Sequence, residues 1–207
     1  MSTQKRRYEL KARAELQEQT RNRIVAATVA LHEEVGPAGT TIAEVARRAG
    51  VQRLTVYNHF PDERQLFAAC QKHFLDQHPP PDVGDALAAA DPADRLRAVL
   101  RSFYSRYRTT RAITENIQRD RLTMPALDAL LRETNDKRVA GLTDALTEGF
   151  AAGEARTKNV RATVALALDF WTWRRLANEG LDDDAASELM VHAVKAAAEA
   201  IEAANPL

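Results

Sequence analysis

Apolar residues recur at three- and four-residue spacing along most of the chain, the repeat of helices that bury one face, and no stretch alternates apolar and polar positions as a half-buried strand does. Ile24, Ala27, Leu31 and Val35 form the first stripe, with Thr20 placed to cap its start and Gly36-Pro37 ending it. Ile42, Val45, Ala46 and Ala49 form the second. Thr41, with Glu44 three residues on, predicts a capping box and a helix from about Ile42. Gly50 predicts its end in a left-handed turn, and Val51 plugs the angle to a third helix over 53–59. Asp62 caps a fourth, whose stripe is Leu66, Phe67, Cys70 and Phe74. The run His78-Pro-Pro-Pro-Asp82 cannot continue a helix and reads as a linker.

Beyond the linker, Asp91-Pro92 opens a helix carrying Leu96, Val99, Leu100, Phe103 and Tyr107, with Arg95, Arg97, Arg101, Arg106 and Arg108 read as its solvated face. A short helix over 113–122 stops before Pro125. Leu127, Leu130, Leu131, Val139, Leu142, Leu146 and Phe150 then mark a long amphipathic helix towards Gly153. One helix is predicted over 160–178, with Val164, Leu168, Trp171, Trp173 and Leu176, ended by Gly180. Asp182-Asp183-Asp184 opens the last, which carries Ala186, Leu189, Met190, Ala193, Val194, Ala197 and Ile201. The expected class is all-α, in agreement with an Ala-rich chain of 207 residues holding only 8 Gly.

The third helix is dense in hydrogen-bonding groups: Gln52, Arg53, Thr55, Tyr57, Asn58 and His59, with Leu54, Val56 and Phe60 as its apolar members. Phosphates and base edges require that chemistry, and a helix-turn-helix presents the N-terminal end of its second helix to the major groove. Gln52, Arg53, Thr55 and Asn58 are the expected base contacts. Tyr57, His59, Thr40 and Thr41 are expected at phosphate, with capping as the alternative role of Thr41. A tight helical pair with a solvated polar face is the competing reading of the same pattern.

Thr40-Thr41, Val45-Ala46, Ala49-Gly50-Val51, Thr55-Val56-Tyr57 and His59-Phe60, at this spacing, resemble the DNA-binding signature of the TetR family of transcriptional repressors. The likeness extends back to Arg23-Ile24, Ala26-Ala27 and Gly36 and forward to Pro61-Asp62 and Leu66-Phe67, so it covers about the first 78 residues. Gln52 stands where the family most often has serine, and Leu54 where it has glycine or proline. Glu63 replaces a common lysine, which removes that phosphate contact. The run GVQRLTVYNHFPDERQLFAAC is similar to one branch of the family. The resemblance implies a three-helix head over 20–78, preceded by a basic helical extension over 1–19, and a C-terminal ligand-binding and dimerisation bundle over 79–207. It implies a homodimer joined through the last two helices, a palindromic double-stranded operator, and release by a small-molecule effector, with the fourth helix carrying the signal. Regulation by a protein partner, activation in place of repression, and a helical interaction module that binds no DNA are the alternatives.

Charge sharpens this picture. The whole chain has 29 basic and 29 acidic residues, but residues 1–78 carry 12 against 9, a net of +3, and the remainder 17 against 20, a net of −3. Lys5, Arg6, Arg7, Lys11 and Arg13 make the extension either an arm on DNA or, with Glu9, Glu15 and Glu18 interleaved, a solvated helix. The single cysteine, Cys70, forms no internal disulfide and suits a reducing cytoplasm; no apolar run approaches the ~18 residues of a membrane span. Cys70, His73 and His78 lack the companions of a metal or nucleophile site, and no phosphate loop or nucleophile elbow is present, so neither cofactor nor enzymatic activity is expected. Phe103, Tyr107, Asn116, Trp171 and Arg174 are the candidate effector contacts, with ordinary packing as the alternative role of each.

Overall fold

The computed structural model describes residues 2–150 and 154–199, and every element among them is helical. In chain order these are α1 (Ser2–Glu34), α2 (Ile42–Ala49), α3 (Arg53–His59), α4 (Glu63–Gln77), α5 (Gly84–Leu87), α6 (Pro92–Thr109), α7 (Arg111–Asp120), α8 (Pro125–Leu131), α9 (Lys137–Thr147), α10 (Glu154–Leu168), α11 (Phe170–Asn178) and α12 (Asp183–Glu199), with a π-helical turn at Arg132–Asp136 joining α8 to α9. The chain forms two compact units. One is Met1–Pro79 with Ala112–Leu130, and the other is Pro80–Arg111 with Leu131–Leu207.

In the first unit, Ile24, Val25 and Leu31 of α1, Val45, Ala46 and Ala49 of α2, Val56 of α3, Phe60, and Leu66 and Cys70 of α4 share one core. The predicted cap at Thr20 does not form. Its hydroxyl donates back to the Leu16 carbonyl at 2.9 Å, and α1 runs unbroken from Ser2, because no Gly or Pro precedes Gly36 to stop it.

The short helix at 113–122, which the sequence assigned to the C-terminal body, packs with this head. Asn116 of α7 donates its amide to two carbonyls at the end of α1, that of His32 (3.1 Å), which also accepts the Gly36 N–H at 3.2 Å, and that of Glu33 (2.8 Å). Asp120, only 4% exposed, accepts from the Ala38 N–H at 2.9 Å and from Arg119 Nε at 2.6 Å. Gly36 turns through φ +85°, and a Cβ there would stand 2.4 Å from Asp120 Oδ2. His32, beside the Phe67 ring, is itself buried, and the loss of hydration pushes its pKa down to about 4 against the opposing pull of Asp120.

The second unit packs Leu96, Val99, Leu100, Phe103 and Tyr104 of α6 against Leu146, against Val160, Val164, Ala167 and Leu168 of α10, and against Val191 and Val194 of α12. The single helix predicted over 160–178 is two. Asp169 leaves helical geometry (φ −74°, ψ 137°) and caps α11 by accepting from the N–H groups of Trp171 and Thr172. The end of α10 is buried, and two tyrosines of α6 serve it: Tyr104 donates to the Ala167 carbonyl at 2.8 Å and Tyr107 to that of Leu168 at 2.7 Å. Of the five arginines read as a solvated face of α6, Arg101 and Arg108 are exposed as expected, and these two and Arg97 also pair with carboxylates of α12. Arg97 meets Glu188 at 2.5 Å, Arg101 meets Asp184 at 2.8 Å and Arg108 meets Asp183 at 2.8 Å. Exposed pairs of this kind contribute little each, but together they align the two helices. The predicted long helix ends at Thr147, short of Gly153, and Gly153 and Ile201 lie outside the described residues.

Two outcomes test the joint at α7. Gly36→Ala combines a positive φ with contact on Asp120 and should cost about 1–3 kcal/mol, read as a lowered urea midpoint. His32 is neutral when folded and has an ordinary pKa of 6.5 when unfolded. Its contribution is therefore complete above pH 6.5 and lost as the pH falls towards about 4, on the order of 3 kcal/mol over that window. Melting curves from pH 7.5 to 4.5 should show a steeper decline for the parent chain than for His32→Gln.

Candidate nucleic-acid interface

The turn that aims α3 is closed by backbone alone. Gly50 adopts φ 65°, ψ 41°, and its N–H reaches the Arg47 carbonyl at 3.3 Å, while the Val51 N–H reaches that of Ala46 at 3.0 Å. At the other end of α2, Thr41 Oγ1 accepts from the Glu44 N–H at 3.2 Å. The reciprocal half of the box is replaced: the Glu44 carboxylate takes Arg47 and Arg48, whose hydrogen bonds hold its pKa down to about 2. Thr40 donates its hydroxyl to the Gly36 carbonyl at 2.8 Å and so closes the α1–α2 turn. Thr40 and Thr41 thus both have structural roles here, whatever they do at phosphate.

α3 is anchored by one fully buried side chain, Val56, with Phe60 buried just after it beneath the Arg21 guanidinium, 4.9 Å above the ring. Everything opposite is free to meet a ligand. Gln52 flanks the helix in extended conformation, makes no capping hydrogen bond, and is exposed along with Arg53 and Asn58. Tyr57 is 53% exposed, and Thr55 and His59 are half-buried at the edge. Leu54, counted with the apolar members of the helix, is 66% exposed on the same outward face. Its pattern position gave no warning of this. An apolar side chain there suits contact with a thymine methyl. Ala14, Gln17, Glu18 and Arg21 of α1 face Thr55, Asn58 and His59 across a cleft of about 490 Å³.

Of the five candidate effector contacts, four are in the second unit and Asn116 in the first. Phe103 and Tyr107 belong to an aromatic cluster of the second unit, with Tyr107 5.4 Å from Phe170 and 5.8 Å from Trp173. Burial holds the Tyr107 hydroxyl above its ordinary pKa. Trp171 is 43% exposed and rests edge-on against Phe170, and Arg174 hydrogen-bonds Asn178. Asn116 is in the first unit, where its amide donates to carbonyls at the end of α1. Trp173, 2% exposed, donates Nε1–H to Asp183 at 3.1 Å. Cys70 is buried, and its thiol pKa is pushed up to about 12 by desolvation. Among the described residues no three His, Cys, Asp or Glu side chains gather as a metal site.

Residues 24–70 match the family model described as bacterial regulatory proteins, tetR family. The chain is 32% identical over 96 residues to the HTH-type transcriptional regulator BetI of Paraburkholderia xenovorans, a match that spans about half of each protein, 46% of this chain and 49% of the relative. A second BetI, from Burkholderia ambifaria, is 27% identical over 178 residues, covering 84% of this chain and 91% of the relative. A TetR-like transcriptional regulator of Rhodococcus sp. RHA1 shares the fold with a TM-score of 0.59 at 19% identity, over 90% of this chain and 97% of that one.

Arg53→Ala combined with Asn58→Ala should weaken binding to a selected duplex by at least tenfold, since each good base contact is worth about 1–3 kcal/mol. Both side chains are exposed, so the urea midpoint should stay within about 0.5 kcal/mol of the parent. Fluorescence anisotropy and equilibrium unfolding read the two effects separately.

Proposed function

We propose that this chain, which is a TetR-family transcriptional regulator, acts as a homodimeric repressor that leaves a palindromic operator when a small molecule binds, and that it has no catalytic activity. The observation that carries the DNA reading is the division of α3. Its buried side, Val56, fixes it to the head, and its outward side presents Gln52, Arg53, Leu54, Tyr57 and Asn58 together. Arg53 and Asn58 supply the fork and the amide that read guanine and adenine, while Tyr57 and His59 flank them at phosphate.

A two-fold operator needs two such helices about one duplex turn apart, ~34 Å, and hence two chains. Support for pairing comes from Leu166 of α10, Trp171 of α11 and Leu189 of α12. These are 56%, 43% and 44% exposed on the last three helices of a unit whose other large apolar side chains are mostly buried. The effector would use the aromatic group around Phe103 and Tyr107, where apolar walls and a few polar atoms come together. No helix among the described residues is long and apolar enough to cross a membrane, and the proposed place of action is the cytoplasm, where the operator is.

Selection of bound duplexes from a random pool should return a palindrome, and sedimentation should give a dimer. Leu166→Arg with Leu189→Arg should yield a folded monomer that no longer prefers the palindrome over a single half-site. Recovery of an asymmetric sequence, or a parent chain that sediments as a monomer with full affinity, would overturn the dimeric reading. A reporter driven from the selected site then reads the sign of regulation.

A further inference from the structure

α1 continues well beyond what the head requires. None of the side chains from Arg7 to Arg23 is buried, and the first fully buried residue of the helix is Ile24. More than four turns therefore stand clear of any core, and helices of that length are marginal in water without packing. Their composition has a direction. Arg7, Lys11, Ala14, Glu18 and Arg21 succeed one another at four- and three-residue steps, which places them on one face. Ala14, Glu18 and Arg21, with Gln17 beside them, line the cleft against Thr55, Asn58 and His59, so this is the face turned towards α3. The stripe then runs about 10 Å further, from Ala14 to Arg7, past the end of the cleft.

We propose that this part of α1 is a second DNA-binding element, in which Arg7 and Lys11 neutralise backbone phosphates flanking the bases that α3 reads, and Gln17 and Arg21 line the strand's passage between the two helices. The proposal rests on α3 as the reading helix and extends its interface. Three observations select nucleic-acid backbone as the occupant. The surface is continuous with Asn58 and Thr55 through the shared cleft. From Arg7 to Arg23 the helix holds five basic against three acidic side chains, a net of +2. Arg21 is held in place over the Phe60 ring, and Lys11 has only a loose 3.8 Å pair with Glu15, both strongly exposed. Glu18 is the one carboxylate lining the cleft, and it opposes a phosphate there.

That opposition gives a test with two signs. Against a duplex selected with the full chain, Arg7→Gln with Lys11→Gln keeps helix-forming residues and should raise Kd about tenfold near 0.15 M salt, lowering the slope of log K against log salt by about 2. Glu18→Gln should tighten binding several-fold. Shortening the flanks of the duplex should weaken the parent chain and leave the double variant unchanged. A double variant within twofold of the parent in affinity and slope overturns the proposal. If Arg53→Ala with Asn58→Ala abolishes specificity in that same experiment, the reading helix stands and only the second element falls. If the parent chain binds no duplex at all, both fall.

Discussion

A seven-residue helix cannot persist in water on its own, because nucleation consumes most of what so few hydrogen bonds return. α3 therefore exists, and points where it does, only because Val56 and Phe60 are buried in a core supplied by α1, α2 and α4. Gly50 and Val51 set its angle to α2 through two backbone hydrogen bonds, with no side chain from the outward face taking part. The consequence is a clean division of labour. The buried side of α3 carries almost no chemistry, and the outward side, with Gln52, Arg53, Leu54 and Asn58, carries almost no structural duty.

The second unit is governed by a break of another kind. Asp169 interrupts what periodicity alone makes one helix, and the interruption leaves carbonyls in a dry interior. Tyr104 and Tyr107 supply the donors, one turn apart on α6, and in doing so bring an aromatic group together with Phe103, Phe170 and Trp173. Polar satisfaction and aromatic packing are here one arrangement.

What the sequence made legible was local. Capping at Asp62 and Asp91, the left-handed stop at Gly50 and the extent of α3 all depend on residues within four positions of one another, and each stands as expected. What it hid was decided at long range or by default. Thr20 has the chemistry of a cap, but with nothing to break α1 before it, back-bonding to Leu16 takes precedence. Leu54 is one of the apolar members of α3 and is nonetheless exposed, since so short a helix offers the core a single position. Asn116 pairs with carbonyls 83 and 84 residues earlier at the end of α1, a pairing that no periodicity announces.

The same long-range pairing gives α7 a part that its sequence does not suggest. Only Thr110 separates α6 from α7 along the chain. α7 then holds the α1–α2 turn through Asn116 and Asp120, against Gly36 and the neutral His32. Buried hydrogen bonds to a charged carboxylate are short-ranged and unforgiving, so this contact is either made or broken rather than gradually stretched.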